Sequence, residues 1–206
     1  NTLRWGCSIG SSILPSPTSI LSTPTFMSDL SFVIHKHDAT SLHYDFRLEI
    51  GGVMPSWAIP KGPTLDSKMK RLAMKVDDHE LVYRKFEGVI PEGQYGAGPV
   101  MIWDEGTYIP EVEVAKGKRE EVHGKDGEKA MEEGLKKGEI KFFLKGKKLK
   151  GSFALVKTKG FPPGNSKNAW LLIKHDDEYS KTGYDAKDFD FSAKSKKSLK
   201  EIEGSL

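Results

Sequence analysis

Between residues 35 and 47 the chain reads His-Lys-His-Asp-Ala-Thr-Ser-Leu-His-Tyr-Asp-Phe-Arg. His43, Asp45 and Arg47 recur at every second position and alternate with Leu42, Tyr44, Phe46 and Leu48. Successive side chains of a β-strand point to opposite faces, so this spacing predicts a polar row on one face and an apolar row on the other. Neighbours in the polar row would lie ~6.6 Å apart, at a rise of ~3.3 Å per residue. His35 and His37 repeat the spacing. His37, His43 and Asp45 are therefore candidate ligands of a divalent metal, with Arg47 beside them to face an anion. Two imidazoles and one carboxylate leave open positions for water and substrate. This donor set suits Mn²⁺, Zn²⁺ or Fe²⁺ and does not choose among them, while two imidazoles are poor ligands for Ca²⁺. The simpler alternative is a solvated strand face. Three of the chain's six histidines within nine residues favour a site.

Further groups suited to a tetrahedral anion follow. Lys61 comes after a proline, Arg71 opens a strand-like run, and His79 ends Asp77-Asp78-His79 with Tyr83 four residues on. With Arg47 they offer cations and hydrogen-bond donors for phosphate, and His79 is alternatively a proton donor to a leaving oxygen. The segment Gly88–Gly98 is rich in glycine but lacks the Gly-Lys-Ser/Thr ending of a P-loop. A tight loop packed against another backbone explains it better.

The elements that must hold these groups are mostly strands. Ser31–Ile34 leads into the histidine strand, which runs on to the Gly51-Gly52 turn, and Val53–Ile59 returns as its hairpin partner. Strands are also predicted at Leu72–Val76, Val100–Trp103, from Ile140 to Leu144, at Phe153–Val156 and at Ala169–Lys174. One helix is predicted over Gly127–Lys137, with Asp126 as N-cap and Gly138 just past its end. Many short strands with little helix predict a mainly β fold, a compact closed β-barrel with one or two short flanking helices. Trp57, Trp103 and Trp170 lie in apolar strand contexts and are assigned to the core.

The 206 residues suffice for one good core. A 37% hydrophobic and 30% charged composition, with mean hydropathy −0.49, fits a soluble protein, and no apolar run approaches the ~20 residues that span a bilayer. A lone cysteine, Cys7, excludes an intrachain disulfide and points to an intracellular, cytoplasmic location. The net charge of +3 is small, yet residues 136–150 hold seven lysines and one acid, Glu139. That run reads as a solvated hairpin or as a surface tracking phosphates. Residues 1–30 form a Ser/Thr/Pro-rich extension, expected to be foreign to the natural chain or without fixed structure. Residues 31–180 form the domain and 181–206 a charged C-terminal tail.

Three long stretches resemble the 3′-phosphoesterase domain of bacterial DNA ligase D: residues 35–49, residues 56–63 (Ser-Trp-Ala-Ile-Pro-Lys-Gly-Pro) and residues 86–98 (Phe-Glu-Gly-Val-Ile-Pro-Glu-Gly-Gln-Tyr-Gly-Ala-Gly). Leu149-Lys150-Gly151 and Trp170–Lys174 extend the likeness over roughly 31–180, in what resembles a stand-alone member. The resemblance implies a small β-barrel and a manganese-dependent activity that heals DNA 3′ ends in strand-break repair. It removes a 3′-terminal ribonucleoside to leave a 3′-phosphate, then removes that phosphate. By the same likeness His37, His43 and Asp45 hold Mn²⁺, or another transition ion such as Zn²⁺ or Co²⁺, and Arg47, Lys61, Arg71, His79 and Tyr83 surround the scissile phosphate. His35 and Asp77, where many members carry Gln and Glu, tune the ligands from behind. The upstream Arg-Asp-Phe segment of bacterial relatives has no equivalent in residues 1–30, which makes the diesterase step the firmer expectation.

The expected function is a metal-dependent 3′-phosphodiesterase and phosphomonoesterase acting on DNA or RNA–DNA primer-template 3′ ends. DNA ligase and polymerase or primase chains are its expected partners, and no membrane is involved. Two other readings fit the same residues. One is a non-catalytic DNA-end binding module of a repair complex. The other is an Fe²⁺ oxygenase with a two-histidine, one-carboxylate site, which the concentration of Lys and Arg argues against.

Overall fold

The computed structural model describes residues 30–159 and 167–205; of the extension expected at residues 1–30 only Leu30 is among them, as the first residue of a strand. Among the described residues ten strands make one antiparallel sheet: β1 (Leu30–Asp38), β2 (Leu42–Leu48), β3 (Val53–Ile59), β4 (Lys70–Glu80), β5 (Gly88–Ile90), β6 (Gly98–Ala115), β7 (Lys118–Glu121), β8 (Glu139–Gly146), β9 (Lys150–Lys157) and β10 (Ala169–Lys174). Eight of them follow the order β1-β2-β3-β4-β10-β9-β8-β6, and β1 pairs again with β6, which closes the ring. Two helices, α1 (Gly124–Lys137) and α2 (Leu199–Glu203), flank it. The mainly β class with two short helices is as expected, and closure takes the form of this eight-membered ring. Among the described residues no helix is long and apolar enough to cross a membrane.

The alternation seen in the sequence sorts the side chains. Tyr44, Phe46 and Leu48 point inward, where they join Trp57, Trp103, Phe142, Phe153 and Trp170 in the main core. The histidine strand is not continuous, however. It breaks at Ala39-Thr40-Ser41 into the β1–β2 hairpin, whose register sets His37 opposite His43 and His35 opposite Asp45. Directly paired residues share a face, so His35, His37 and His43 and the Asp45/Arg47 row come together on the outside of the ring. A second, small apolar cluster of Val33, Met54, Ile102 and Ala193, with Leu81 packed on it, covers that outer face. Arg47 and His35 are buried beside it.

α1 starts three residues before the expected position, with His123 at the N-cap. Gly127 lies in its first turn, where a Cβ would come within 2.5 Å of the Val122 carbonyl. The C-terminal stretch, read as a charged tail, places Tyr184, Ala186, Leu199 and Ile202 in the main core. A capping box between Ser198 and Glu201 starts α2.

The β8–β9 turn is gathered by one carboxylate. Fully buried Asp104 accepts the backbone N–H groups of Glu105, Lys147 and Lys148 on Oδ1 and that of Leu149 on Oδ2, at 2.9–3.0 Å. Asp104→Ala strands these donors and is expected to cost about 3 kcal/mol or more, with Asp104→Asn in between. Chemical denaturation checks this, and a loss below ~1 kcal/mol would show that water replaces the carboxylate readily. The lysine-rich run resolves partly into the same region. Lys141 pairs with Glu113 at 3.2 Å, and Lys147 with Glu105 at 2.8 Å. Lys148 donates to the Phe189 carbonyl at 3.2 Å and lies 4.7 Å from the centre of the Trp103 ring.

Candidate active site

His37, His43 and Asp45 offer ligand atoms that all lie within 4.8 Å of one another. His37 Nδ1 is 3.7 Å from Asp45 Oδ2, and His43 Nε2 is 3.6 Å from Asp45 Oδ1. These separations are long for hydrogen bonds. They are close to the spacing of two atoms that each approach one ion at ~2.1 Å. The far nitrogens fix which way each ring faces. His37 Nε2 donates to the Gly96 carbonyl and His43 Nδ1 to the Ser41 carbonyl, both at 2.8 Å. In the neutral rings the nitrogens turned toward Asp45 therefore carry lone pairs. Two lone pairs and a carboxylate converging on one point repel unless a cation sits among them, and backbone carbonyls holding the outer N–H are the usual support of metal-bound histidines. The residues fit a divalent transition ion.

Arg47 organises the groups behind this trio. Nε donates to His35 Nδ1 at 3.2 Å, Nη1 to Ser56 Oγ at 2.8 Å and Nη2 to Asp45 Oδ2 at 2.9 Å. Its guanidinium carbon lies 5.2 Å from the centre of the Tyr83 ring. His79 Nδ1 is 2.9 Å both from Arg47 Nη1 and from the Asp77 carbonyl. It serves one partner at a time, donating to Asp77 when protonated there and accepting from Arg47 when the proton is on Nε2.

The environment sets the charges. Burial alone would raise the Asp45 carboxyl, but the facing His37 and His43 rings and the Arg47 charge hold it well below the usual carboxylate range. Burial and Arg47 push His35 down to about 3, so it stays neutral and accepts from Arg47. Burial and Arg47 also lower His79. Burial raises Tyr83, which keeps its phenol protonated. His43 moves up because Asp45 faces it, against the effect of burial.

That last shift sets the sign of a pH effect. A histidine raised by its partner holds its proton more firmly in the folded state, so the pairing stabilises the metal-free protein at low pH and is lost as pH rises through the raised value. A metal must displace that proton. Metal affinity is thus expected to fall as pH drops through the same window, with about one proton released per ion bound between the ordinary histidine value and the raised one. Calorimetric titration in buffers of different ionisation enthalpy reads this number, and a release of zero would exclude His43 as a ligand.

The structure thus gathers His35, His37, His43, Asp45, Arg47, His79 and Tyr83, with Asp77 contributing its carbonyl. Lys61 and Arg71 stand at the ring end where β3 stops and β4 begins, the end that also carries the 39–41 turn. Lys61 is exposed. Arg71 pairs with Leu172 and shares the inward face of Ala73. Neither makes a hydrogen bond or ion pair with the cluster. His79 reaches the outer face through a bulge. Met54 and Ser56 of β3 oppose His79 and Val76 of β4, so β4 carries one extra residue, and such insertions re-aim side chains.

Three supporting groups escape a reading of residue types: Ser56 and the carbonyls of Ser41 and Gly96. Ser56 could have been found by pairing β3 against Arg47. The Gly88–Gly98 loop packs as expected, since a Cβ on Gly98 would sit 2.0 Å from the Asp38 carbonyl.

Comparison with known proteins adds a family. The profile described as the DNA Ligase D 3′-phosphoesterase domain matches residues 35–157. The chain is 43% identical over 148 residues to the multifunctional non-homologous end joining protein LigD of Pseudomonas aeruginosa, a match covering 72% of this chain and 15% of that protein. It is 40% identical over 146 residues to the multifunctional non-homologous end joining DNA repair protein LigD of Mycobacterium tuberculosis, covering 71% and 16% respectively. The chain thus matches only about a sixth of the length of these relatives.

Proposed function

Because this chain belongs to the DNA ligase D 3′-phosphoesterase domain family, we propose that it is a metal-dependent phosphoesterase that heals DNA or RNA–DNA 3′ ends during strand-break repair. In this reading it removes a 3′-terminal ribonucleoside as a phosphodiesterase and then the remaining 3′-phosphate as a phosphomonoesterase. DNA ligase and polymerase chains would act on the healed ends. The observation that carries the proposal is the convergence of two tautomer-fixed histidine nitrogens on Asp45.

His37 Nδ1, His43 Nε2 and Asp45 would hold Mn²⁺, with Zn²⁺ or Co²⁺ as alternatives. Such an ion supplies polarisation of a phosphoryl oxygen and neutralises charge in an in-line displacement. Arg47 holds Asp45 and His79 in place and puts a fixed positive charge behind them. His79 keeps its proton on Nε2 when Nδ1 accepts from Arg47, and from there it can donate to the leaving oxygen. Tyr83, kept protonated, donates a hydrogen bond to the phosphate, and Lys61 and Arg71 bring positive charge to the rim along the nucleic-acid backbone.

The test uses a labelled primer ending in one or two 3′ ribonucleotides. Mn²⁺ is expected to permit shortening to a 3′-phosphate and then a 3′-hydroxyl, and chelation to stop it. Cleavage that survives chelation would overturn the proposal. Salt-sensitive binding without turnover under any divalent metal would replace it with an end-binding module.

A further inference from the structure

Tyr95 is 103% exposed, the most exposed large hydrophobic side chain among the described residues, and Val82, at 71%, comes next. Both border the candidate active site. Tyr95 precedes Gly96, whose carbonyl holds His37, and Val82 precedes Tyr83. Apolar surface left in water contributes nothing to folding, so its collection around a buried polar cluster calls for a ligand that has both an anionic centre and flat apolar parts.

The loop that carries Tyr95 is braced. Gln94 N–H donates to the Pro91 carbonyl and Ala97 N–H to the Gln94 carbonyl, at 3.2 and 3.1 Å. Gly93 and Gly96 take the left-handed φ values of 83° and 77° that close these turns. With Gly96 fixed to His37 and Gly98 set against the Asp38 backbone, the Tyr95 Cα is placed ~3.8 Å from that of Gly96. The phenol is therefore presented to solvent from a fixed backbone next to a metal-ligand candidate. Charge complementarity selects the occupant. Arg47 behind the trio and the exposed Lys61 at the ring end suit a phosphodiester, and an exposed planar ring next to the brace on His37 suits a nucleobase, since every base has a face that stacks.

We propose that Tyr95 is the platform on which the terminal base of a polynucleotide 3′ end stacks while its phosphate enters the His37–His43–Asp45 site. The proposal rests on the phosphoesterase reading above and adds the element that grips the end. Stacking on tyrosine tolerates any base, so the grip is independent of sequence and depends on the end being unpaired.

The experiment compares the wild-type chain with Tyr95→Ala and Tyr95→Phe. A single-stranded oligodeoxynucleotide with 2-aminopurine as its 3′-terminal base is titrated without metal, and stacking is read as quenching of its fluorescence. Wild type and Tyr95→Phe are expected to quench and Tyr95→Ala not to. In cleavage assays with Mn²⁺, Tyr95→Ala is expected to raise KM about 10-fold or more, while kcat stays within about threefold. A substrate with an abasic 3′-terminal residue should be handled alike by wild type and Tyr95→Ala. Equal quenching by Tyr95→Ala, or a KM within about twofold of wild type, would overturn the assignment. A wild-type protein that quenches the probe yet cleaves no 3′ end with any divalent metal supports the platform and overturns the hydrolase reading instead.

Discussion

Replacing Arg47 with lysine is expected to lower turnover almost as far as replacing it with alanine, by about 10²–10³-fold in either case. The reason is geometric. Three arms of one planar guanidinium reach His35, Ser56 and Asp45 in three directions, and an ammonium is a point charge that cannot hold such a fork. Arg47→Ala also leaves Asp45 buried without its partner, a loss of about 3–5 kcal/mol for a broken buried pair. Divalent metal should return part of that stability, because it supplies the missing positive charge. Initial rates and thermal melts with and without metal check both parts. An Arg47→Lys protein that keeps more than about a tenth of wild-type kcat would show that charge matters and the hydrogen-bonded frame does not.

Asp45→Asn preserves the shape of the side chain and removes the only negative charge of the trio. Metal affinity is expected to fall well over 100-fold. Activity should fall about 10³-fold, equivalent to ~4 kcal/mol of transition-state stabilisation. The same substitution tests the carboxyl's depressed pKa. A depressed carboxylate contributes stability that is present above its unfolded pKa and is lost as pH falls through its folded value. The metal-free variant should therefore be less stable than wild type near neutral pH, and the gap should narrow in strong acid. Isothermal titration with Mn²⁺ and melts across pH are the measurements. Affinity within tenfold of wild type would remove Asp45 from the ligand set.

Much of this site was legible in residue spacing, and what was not has physical causes. The alternation through His43, Asp45 and Arg47 gave the shared face, because the pleat has a strict period of two. The same period misleads along β4. Arg71 and His79 are eight residues apart, an even number that assigns them to one face, and the extra residue before His79 separates them. Spacing shows no bulge, since its signature is a mismatch with a partner strand found elsewhere in the chain. Burial was hidden too. A row of His, Asp and Arg looks solvated, and what lies over it is the Tyr83 ring from another segment, against both His35 and Arg47. The turn at 39–41 carries no glycine or proline, so His37 and His43 read as one run instead of as partners across a hairpin. The carbonyls that orient the histidines have no side chain to announce them.

Apart from the Gly96 carbonyl, every group in the cluster comes from residues 35–83, which hold four strands paired in chain order and the short 3-10 turn that carries Tyr83. Ring closure is a different matter, since it joins β1 to β6 across a long stretch of intervening chain. Loop-closure entropy grows with that separation and slows the formation of distant pairings. The polar cluster therefore belongs to the part of the chain whose pairings are closest in sequence. It can take shape early in folding from neighbouring hairpins, while the late, slow step supplies the brace on His37 and the shelter.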